Sequence, residues 1–170
     1  CADRLCAVYA EVPGFLRAGM REIDLAAEFE CRLRKAGNEG VSRLRAYNLE
    51  LGGGVIASGP GALEPSFFDG PVSGRGLSAA APSGASRRVI GRDEPVLLDY
   101  TATMGGYIVD MTRVFVVGRL LAELERAFET ALAIQADVAE RLRPGAVPDD
   151  IWERAVKMAG EAGLGGCFMG

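Results

Sequence analysis

Two aspartates occur in a stretch of the sequence that is otherwise apolar. Residues 97–115, LLDYTATMGGYIVDMTRVF, are typical of two strands around a Gly-Gly turn, with Asp99 in the first strand and Asp110 in the second. A tight turn that pairs Thr103 with Gly106 also pairs the two aspartates, with their Cβ atoms about 5 Å apart on one face. Like charges directly opposite each other destabilise a sheet. The sequence therefore predicts that something offsets their repulsion.

Three environments would account for facing carboxylates. The pair could share a proton, with one pKa strongly raised, or could bind a cation, for which two hard oxygen ligands are favourable. Alternatively, the strands are edge strands and both carboxylates are hydrated. The spacing alone leaves all three open.

The composition excludes several classes of function. The chain has 170 residues, 49% of them hydrophobic and 25% charged, as expected for one soluble globular domain. The net charge of -4 and a pI near 5.0 argue against a nucleic-acid binder. The sequence has no run of 18 apolar residues and no signal-peptide pattern. We therefore expect a cytoplasmic protein that binds neither nucleic acid nor membrane.

The histidine and cysteine content limits the chemistry further. The chain contains no histidine, which excludes His-dependent metal binding and nucleophilic triads within these residues. The four cysteines, at positions 1, 6, 31 and 167, form no CxxC pair, so we expect free and mostly buried thiols. An opening on Cys1 in apparent mid-helix suggests a fragment of a longer chain.

The elements that must position the aspartates follow from periodicity and breaker residues. We expect a helix to about residue 17, which Pro13-Gly14 could interrupt, and a second helix over REIDLAAEFECRLRKAG with Gly37 just beyond its end. Residues 41–58 form a strand region, in which Gly52-Gly53-Gly54 indicates a bulge or a close backbone approach rather than a phosphate loop.

The second half of the chain is predicted to be a loop, the hairpin and two helices. Residues 58–88 are rich in Gly, Pro and Ser, and Phe67-Phe68 favours an ordered loop that lines a site over a mobile surface excursion. A long helix after the hairpin ends at Pro144-Gly145, and a last helix runs from near Pro148 to Gly163. Helices over an antiparallel sheet make the fold class α+β.

Two segments carry a recognisable pattern: GMREIDLAAEFECRLRKAG, and VLLDYTATMGGYIVDMTRVFVVG with its Asp99, Gly106-Tyr107, Asp110 and Thr112-Arg113. Both resemble segments of the methionine aminopeptidase, Xaa-Pro peptidase and creatinase superfamily. The resemblance covers essentially the whole chain and favours the Xaa-Pro dipeptidase and aminopeptidase branch. It implies the pita-bread fold, with residues 1–170 as a single, truncated catalytic domain.

The resemblance also implies a role for the aspartates. In this family both are metal ligands, and a His and two Glu complete a site for two divalent ions, here Mn²⁺, Co²⁺ or Zn²⁺. The implied function is hydrolysis of Xaa-Pro peptide bonds by a metal-activated water. The His normally follows a segment resembling GCFMG and the two Glu come later, so the ligand set expected here is Asp99 and Asp110 alone. No catalytic residue is assigned within the chain, which should bind metal weakly and be inactive by itself.

Departures from the family pattern leave two alternatives open. Family members commonly have a substrate-contacting His where SGPGALEPSF has Ser66, so the substrate-binding residues are unknown. The alternatives are a non-catalytic pita-bread module that binds peptide or protein, and a creatinase-like hydrolase of a non-peptide C-N bond. Because part of a larger sheet leaves an unpaired edge and an exposed apolar face, we also expect a homo-oligomer, or a chain that retains a partner segment.

Overall fold

The computed structural model of the protein describes residues 1–47, 49–64 and 72–168. It divides into two compact units, Cys1–Arg119 and Leu120–Gly170. Both aspartates and both ends of the 58–88 loop belong to the first unit. Ser66 and Phe67-Phe68 lie outside the described residues, so the expectations for these positions remain predictions.

Two helices open the first unit. Helix α1 spans Ala2–Phe15 and keeps Pro13 inside it, so the predicted interruption does not occur. Helix α2 spans Glu22–Lys35, and Gly37 follows its end with a φ of +104°, a left-handed conformation that glycine adopts without strain. The helical periodicity and the position of this glycine therefore predicted α2 correctly.

The strands form two antiparallel sheets. Strands β1 (Val41–Arg43) and β2 (Glu50–Gly52) form a small pair, and β3 (Gly54–Ser58), β4 (Pro95–Met104) and β5 (Tyr107–Val116) form a sheet in the order β3-β4-β5. A short 3-10 turn, Gly59–Leu63, follows β3. Strand β4 therefore lies in the centre of this sheet.

Side chains of β4 alternate between the core and the opposite face. Its core-facing residues are fully buried together with apolar residues of α1 and α2: Val96, Leu98, Tyr100, Ala102, Leu5, Val12, Leu25, Phe29 and Leu33. The period of two places the odd-numbered residues of β4 on the other face of the sheet. Asp99 and Thr101 therefore share the face that points away from the core.

Steric crowding requires a glycine at position 54, the first residue of β3. Gly54 pairs with Tyr100 across β3 and β4, and a Cβ at position 54 would overlap the Tyr100 ring and the Asp99 carbonyl oxygen. Tyr100 in turn contacts Phe29, with ring centroids 4.7 Å apart. The close backbone approach predicted at Gly52-Gly53-Gly54 is confirmed for Gly54.

The second unit is a helix pair. Helix α3 spans Ala122–Arg141 and α4 spans Pro148–Glu161, with a small buried cluster of Ile134, Ala155 and Ala159. Asp137 on α3 accepts hydrogen bonds from Arg141, one turn along, and from Arg154 on α4. Both helices match their predicted extents.

Two further expectations concern the surface. The four cysteines are free, as predicted, but all four are exposed, so the expectation of buried thiols was wrong. Cys6 and Cys31 stay outside the core because its positions on α1 and α2 are filled by larger apolar residues, and the Cys6 sulfur lies 3.9 Å from that of Met111 on β5. Within the described part of the chain, no helix combines the length and apolar character needed to cross a membrane.

Candidate metal centre

The β4-β5 hairpin places Asp99 and Asp110 on one face of the sheet, but not opposite each other. The observed pairs are Asp99 with Thr112 and Thr101 with Asp110. The predicted direct pairing of the aspartates was therefore wrong by two residues. Because a shift of two keeps every side chain on its face, the carboxylates become diagonal neighbours, typically about 7 Å apart rather than about 5 Å.

The turn explains the shift in register. Gly105 and Gly106 are the two central residues of the turn, with φ angles of +62° and +77°, and Met104 pairs with Tyr107. Two positive φ angles are the requirement of a type I′ turn, the two-residue turn that suits the twist of a hairpin. The predicted register would have placed Met104 at a central position, where a side chain is unfavourable.

The tip of the hairpin is held by the segment that follows α2. The N–H of Glu39 donates to the carbonyl of Thr103 (2.8 Å), and the Glu39 carboxylate accepts from the N–H groups of Gly105 (2.6 Å) and Gly106 (3.3 Å). The side-chain oxygen of Asn38 accepts from the N–H of Thr103 (3.0 Å). These bonds fix the turn and therefore the register of the strands that carry the aspartates.

Each aspartate accepts a hydrogen bond from the threonine directly opposite it. The Thr112 hydroxyl donates to Asp99 Oδ1 over 2.7 Å, and the Thr101 hydroxyl donates to Asp110 Oδ1 over 3.2 Å. Across residues 1–47, 49–64 and 72–168, no further hydrogen bond reaches either carboxylate. One oxygen of each aspartate is thus fixed, and the other is available for a ligand.

The electrostatics of the pair differ between its two members. Asp99 is half-buried on the central strand, whereas Asp110 is exposed on β5. Burial is the largest cause that raises the pKa of Asp99 above its ordinary value; the Thr112 hydrogen bond opposes this rise, and the charge of Asp110 adds to it. In the described parts of the chain, no Lys or Arg forms an ion pair with either aspartate.

These contacts bear on the three environments that the sequence left open. A shared proton requires a hydrogen bond between the carboxylates, and among the described residues each bonds to a threonine instead. Simple hydration describes exposed Asp110 better than half-buried Asp99. Two unneutralised carboxylates with free oxygens fit a divalent cation, which prefers hard oxygen ligands. They are only part of a ligand shell, since no group of three or more His, Cys, Asp or Glu side chains in the described regions could hold a metal ion.

A buried glutamate that sequence reasoning missed closes the base of the 58–88 loop. Glu22, which is 2% exposed, accepts hydrogen bonds from the N–H and hydroxyl of Ser58 (2.8 and 2.7 Å) and of Ser86 (3.0 and 2.6 Å). Arg88 donates to the Ser58 hydroxyl (2.5 Å) and forms a two-point ion pair with Glu94. Both ends of the 58–88 loop are therefore held by one hydrogen-bonded cluster, made of Glu22, Ser58, Ser86, Arg88 and Glu94.

The sequence signal for Glu22 was ambiguous. Its place in the first turn of α2 predicted a favourable interaction with the helix dipole, which exposed acidic residues provide equally well. Only the three-dimensional meeting of Ser58 and Ser86 identifies it as a buried acceptor. The loop's predicted role in lining a site stays a prediction, although its two ends are anchored.

Comparisons with known proteins agree with the resemblance seen in the sequence. The model of metallopeptidase family M24 matches residues 1–170. A probable dipeptidase, PepE, of Mycobacterium tuberculosis is 25% identical over 163 residues, which cover 95% of this chain and 36% of that protein.

Solved structures share the fold. The X-Pro aminopeptidase of Thermotoga maritima superposes with a TM-score of 0.76 at 24% identity, over 96% of this chain and 40% of that one. The prolidase of Pyrococcus furiosus gives a TM-score of 0.76 at 23% identity, over 99% of this chain and 42% of that one. The chain spans well under half the length of these relatives and has the α+β arrangement of their pita-bread fold, as predicted. It belongs to metallopeptidase family M24.

Proposed function

We propose that this chain supplies two carboxylate ligands, Asp99 and Asp110, to the divalent metal centre of a peptidase that hydrolyses Xaa-Pro bonds. The observation that carries the proposal is the pair itself: two carboxylates on one sheet face, each with one oxygen held by a threonine and neither, among the described residues, in an ion pair with Lys or Arg. Family membership and the dipeptidase and X-Pro aminopeptidase titles of similar proteins support the substrate class.

The roles of the chain's own residues follow from the hairpin. Asp99, on the central strand, is the more firmly placed ligand, and Asp110, on β5, is the more accessible one. Thr112 and Thr101 restrict the rotation of the two carboxylates and so keep the free oxygens on the same face. We propose that the centre holds two divalent ions, which are Mn²⁺, Co²⁺ or Zn²⁺. When bound, such ions would activate a water molecule and polarise the scissile carbonyl.

Two carboxylates are too few for tight binding. We propose that a His and two Glu from a longer polypeptide complete the centre, and that the chain with only Asp99 and Asp110 binds metal weakly and does not hydrolyse peptides. We propose that residues 1–170 form one part of a single catalytic domain. Reading the coding sequence past the codon for Gly170 tests this: a Gly-His-Gly segment and two later glutamates would support it. A continuation without these ligands would contradict it and favour the peptide-binding module.

Metal binding by the pair can be measured on the chain itself. Titration with Mn²⁺, followed by the loss of its free-ion electron paramagnetic resonance signal, should detect weak binding that Asp99→Asn and Asp110→Asn each abolish. Asp3→Asn, which removes an exposed aspartate from the first turn of α1, is the matched control and should bind as the unchanged chain does. Equal binding by all four proteins would refute the assignment of the ligands.

The substrate class needs a separate assay. With the completed ligand set, Xaa-Pro dipeptides should be hydrolysed in preference to dipeptides without proline, and creatine should not be a substrate. Preference for creatine would favour the creatinase-like alternative, which Ser66 keeps open.

We also propose that the chain self-associates through its outer strand. Strand β5 pairs only with β4 in the described sheet, and Tyr107 and Ile108 are exposed on it. An unpaired edge with apolar side chains favours pairing with a second chain. Sedimentation velocity should show a concentration-dependent dimer, and a monomer across the accessible concentration range would contradict the proposal.

A further inference from the structure

The hydroxyl of Tyr9 links the two strands that carry the aspartates. Tyr9 lies on α1 and is 4% exposed. Its hydroxyl is within hydrogen-bond distance of the carbonyl oxygens of Leu98 on β4 (3.2 Å) and Met111 on β5 (2.5 Å). One side chain from the core side therefore bonds to both strands of the hairpin.

The two carbonyls are adjacent to the shorter of the two hydrogen bonds between a threonine and an aspartate of the pair. The Leu98 carbonyl belongs to the peptide group that precedes Asp99, and the Met111 carbonyl belongs to the one that precedes Thr112. Asp99 and Thr112 are direct partners across the strands, and the Thr112 hydroxyl donates to Asp99 over 2.7 Å. The orientation of these two peptide groups thus governs the positions of the Asp99 and Thr112 side chains on the opposite face of the sheet.

The phenol ring is held in place on several sides. It packs at a tilt against Phe29, with centroids 4.9 Å apart, and lies nearly parallel to Phe115 at 6.4 Å. The Arg113 guanidinium is 6.0 Å from the ring centroid. Burial first, and then the charge of Asp99, raises the pKa of Tyr9 above its ordinary value, so the hydroxyl keeps its proton and remains a donor. Packing alone would be satisfied by phenylalanine, and the hydroxyl serves the two carbonyls.

We infer that Tyr9 is a positioning residue: its hydroxyl fixes the Asp99 and Thr112 pair from the core side and thereby sets the orientation of the Asp99 carboxylate. The effect on metal binding rests on the function proposed above. The effect on the Asp99 and Thr112 contact does not, because that contact exists within the chain itself.

Tyr9→Phe tests the inference, with Tyr100→Phe as the matched control. Tyr100 is also almost fully buried, and its hydroxyl donates to Glu30 (3.0 Å), so this variant likewise removes one tyrosine hydroxyl from the core. Asp99 is followed through its side-chain carboxyl ¹³C resonance, and Thr112 through its hydroxyl proton. Both signals should change in Tyr9→Phe and stay as they are in Tyr100→Phe.

Metal affinity gives the second readout. Loss of one hydrogen bond that orients a ligand should weaken Mn²⁺ binding by about threefold to tenfold in Tyr9→Phe, and Tyr100→Phe should bind as the unchanged chain does. Equal ¹³C and hydroxyl signals in Tyr9→Phe and the unchanged chain would overturn the inference. Absence of Mn²⁺ binding in the unchanged chain would instead contradict the weak binding proposed for this chain, and the resonances would still decide the role of Tyr9.

A measurement without any substitution covers the case in which Tyr9→Phe does not fold. In the unchanged chain, the Tyr9 hydroxyl proton should exchange slowly and show nuclear Overhauser contacts to the α protons of Asp99 and Thr112, which lie beside the carbonyl oxygens of Leu98 and Met111. A rapidly exchanging hydroxyl without these contacts would overturn the inference.

Discussion

Replacing Glu22 with glutamine changes one oxygen of a buried carboxylate to an NH₂ group and tests the cluster at the base of the 58–88 loop. In the native cluster, each carboxylate oxygen accepts two hydrogen bonds, one from a backbone N–H and one from a hydroxyl. The donors are Ser58 on one side and Ser86 on the other. The glutamine nitrogen would face a backbone N–H that cannot turn away.

The expected loss can be worked out from these contacts. A serine hydroxyl can rotate and accept from the new NH₂ group, but the backbone N–H beside it is left without an acceptor, at a cost of about 1–3 kcal/mol. The two bonds that remain change from charge-assisted to neutral, and each loses roughly 1 kcal/mol. Because rearrangement recovers part of this energy, we expect Glu22→Gln to lower the free energy of unfolding by about 2–4 kcal/mol.

Hydrogen exchange gives the assay because it reports on the affected strand directly. Amide exchange of Ile56 and Ala57, which are buried in β3 next to Ser58, measures the free energy of opening there. Glu28→Gln is the control: it is on the same helix, but it is exposed, and its ion pair among the described residues is with Arg32 at i,i+4, a pair worth about 0.5 kcal/mol or less. A loss in Glu22→Gln no larger than in this control would refute the reasoning.

Two further outcomes are expected. In urea unfolding, Gly54→Ala should lower the free energy of unfolding by about 2 kcal/mol or more, because the added methyl group would overlap the Tyr100 ring. Gly14→Ala is the control in helix α1, where the added methyl group meets no atom within 4 Å. It should raise the free energy of unfolding by about 0.5–1 kcal/mol. Hydrogen bonds from Arg154 and a second arginine lower the pKa of Asp137 to about 2. The stabilisation that the Asp137 carboxylate gives to the α3-α4 helix pair is therefore complete above about pH 4 and is lost as the pH falls toward 2. Trp152 fluorescence should show an acid transition in that window, which Asp137→Asn shifts or removes.

The elements of the fold could be predicted because their signals are local. The four-residue recurrence in α2 and the glycine after its end follow from helix geometry, and the alternation in β4 follows from the pleat of a strand. These periods also put Asp99 and Asp110 on the same face. Family resemblance then supplied metal ligation as the proposed reason for carboxylates in that place, which hydrophobic periodicity alone does not contain.

The contacts around the site could not be predicted because they join distant residues. Whether Gly105-Gly106 or Met104-Gly105 forms the centre of the turn changes the register by two positions without changing any face. Glu22 looks like an exposed first-turn residue until Ser58 and Ser86 meet it, and a buried tyrosine on α1 has no sequence feature that distinguishes a hydrogen-bonding hydroxyl from packing. The contacts of Glu22 and Tyr9 join residues that are far apart along the chain, whereas the register was decided locally, by the need for two positive φ angles at the turn.

The corrected register has a consequence for the chemistry of the pair. Direct opposition would bring the carboxylates close enough to favour a single shared proton, as in a carboxylate dyad. The diagonal arrangement instead places Thr112 opposite Asp99 and Thr101 opposite Asp110, so each charge has its own donor. One oxygen of each carboxylate is then held by a threonine and the other lies on the same face, an arrangement that suits a divalent cation. The two-residue turn at Gly105-Gly106 therefore favours metal ligation over proton sharing.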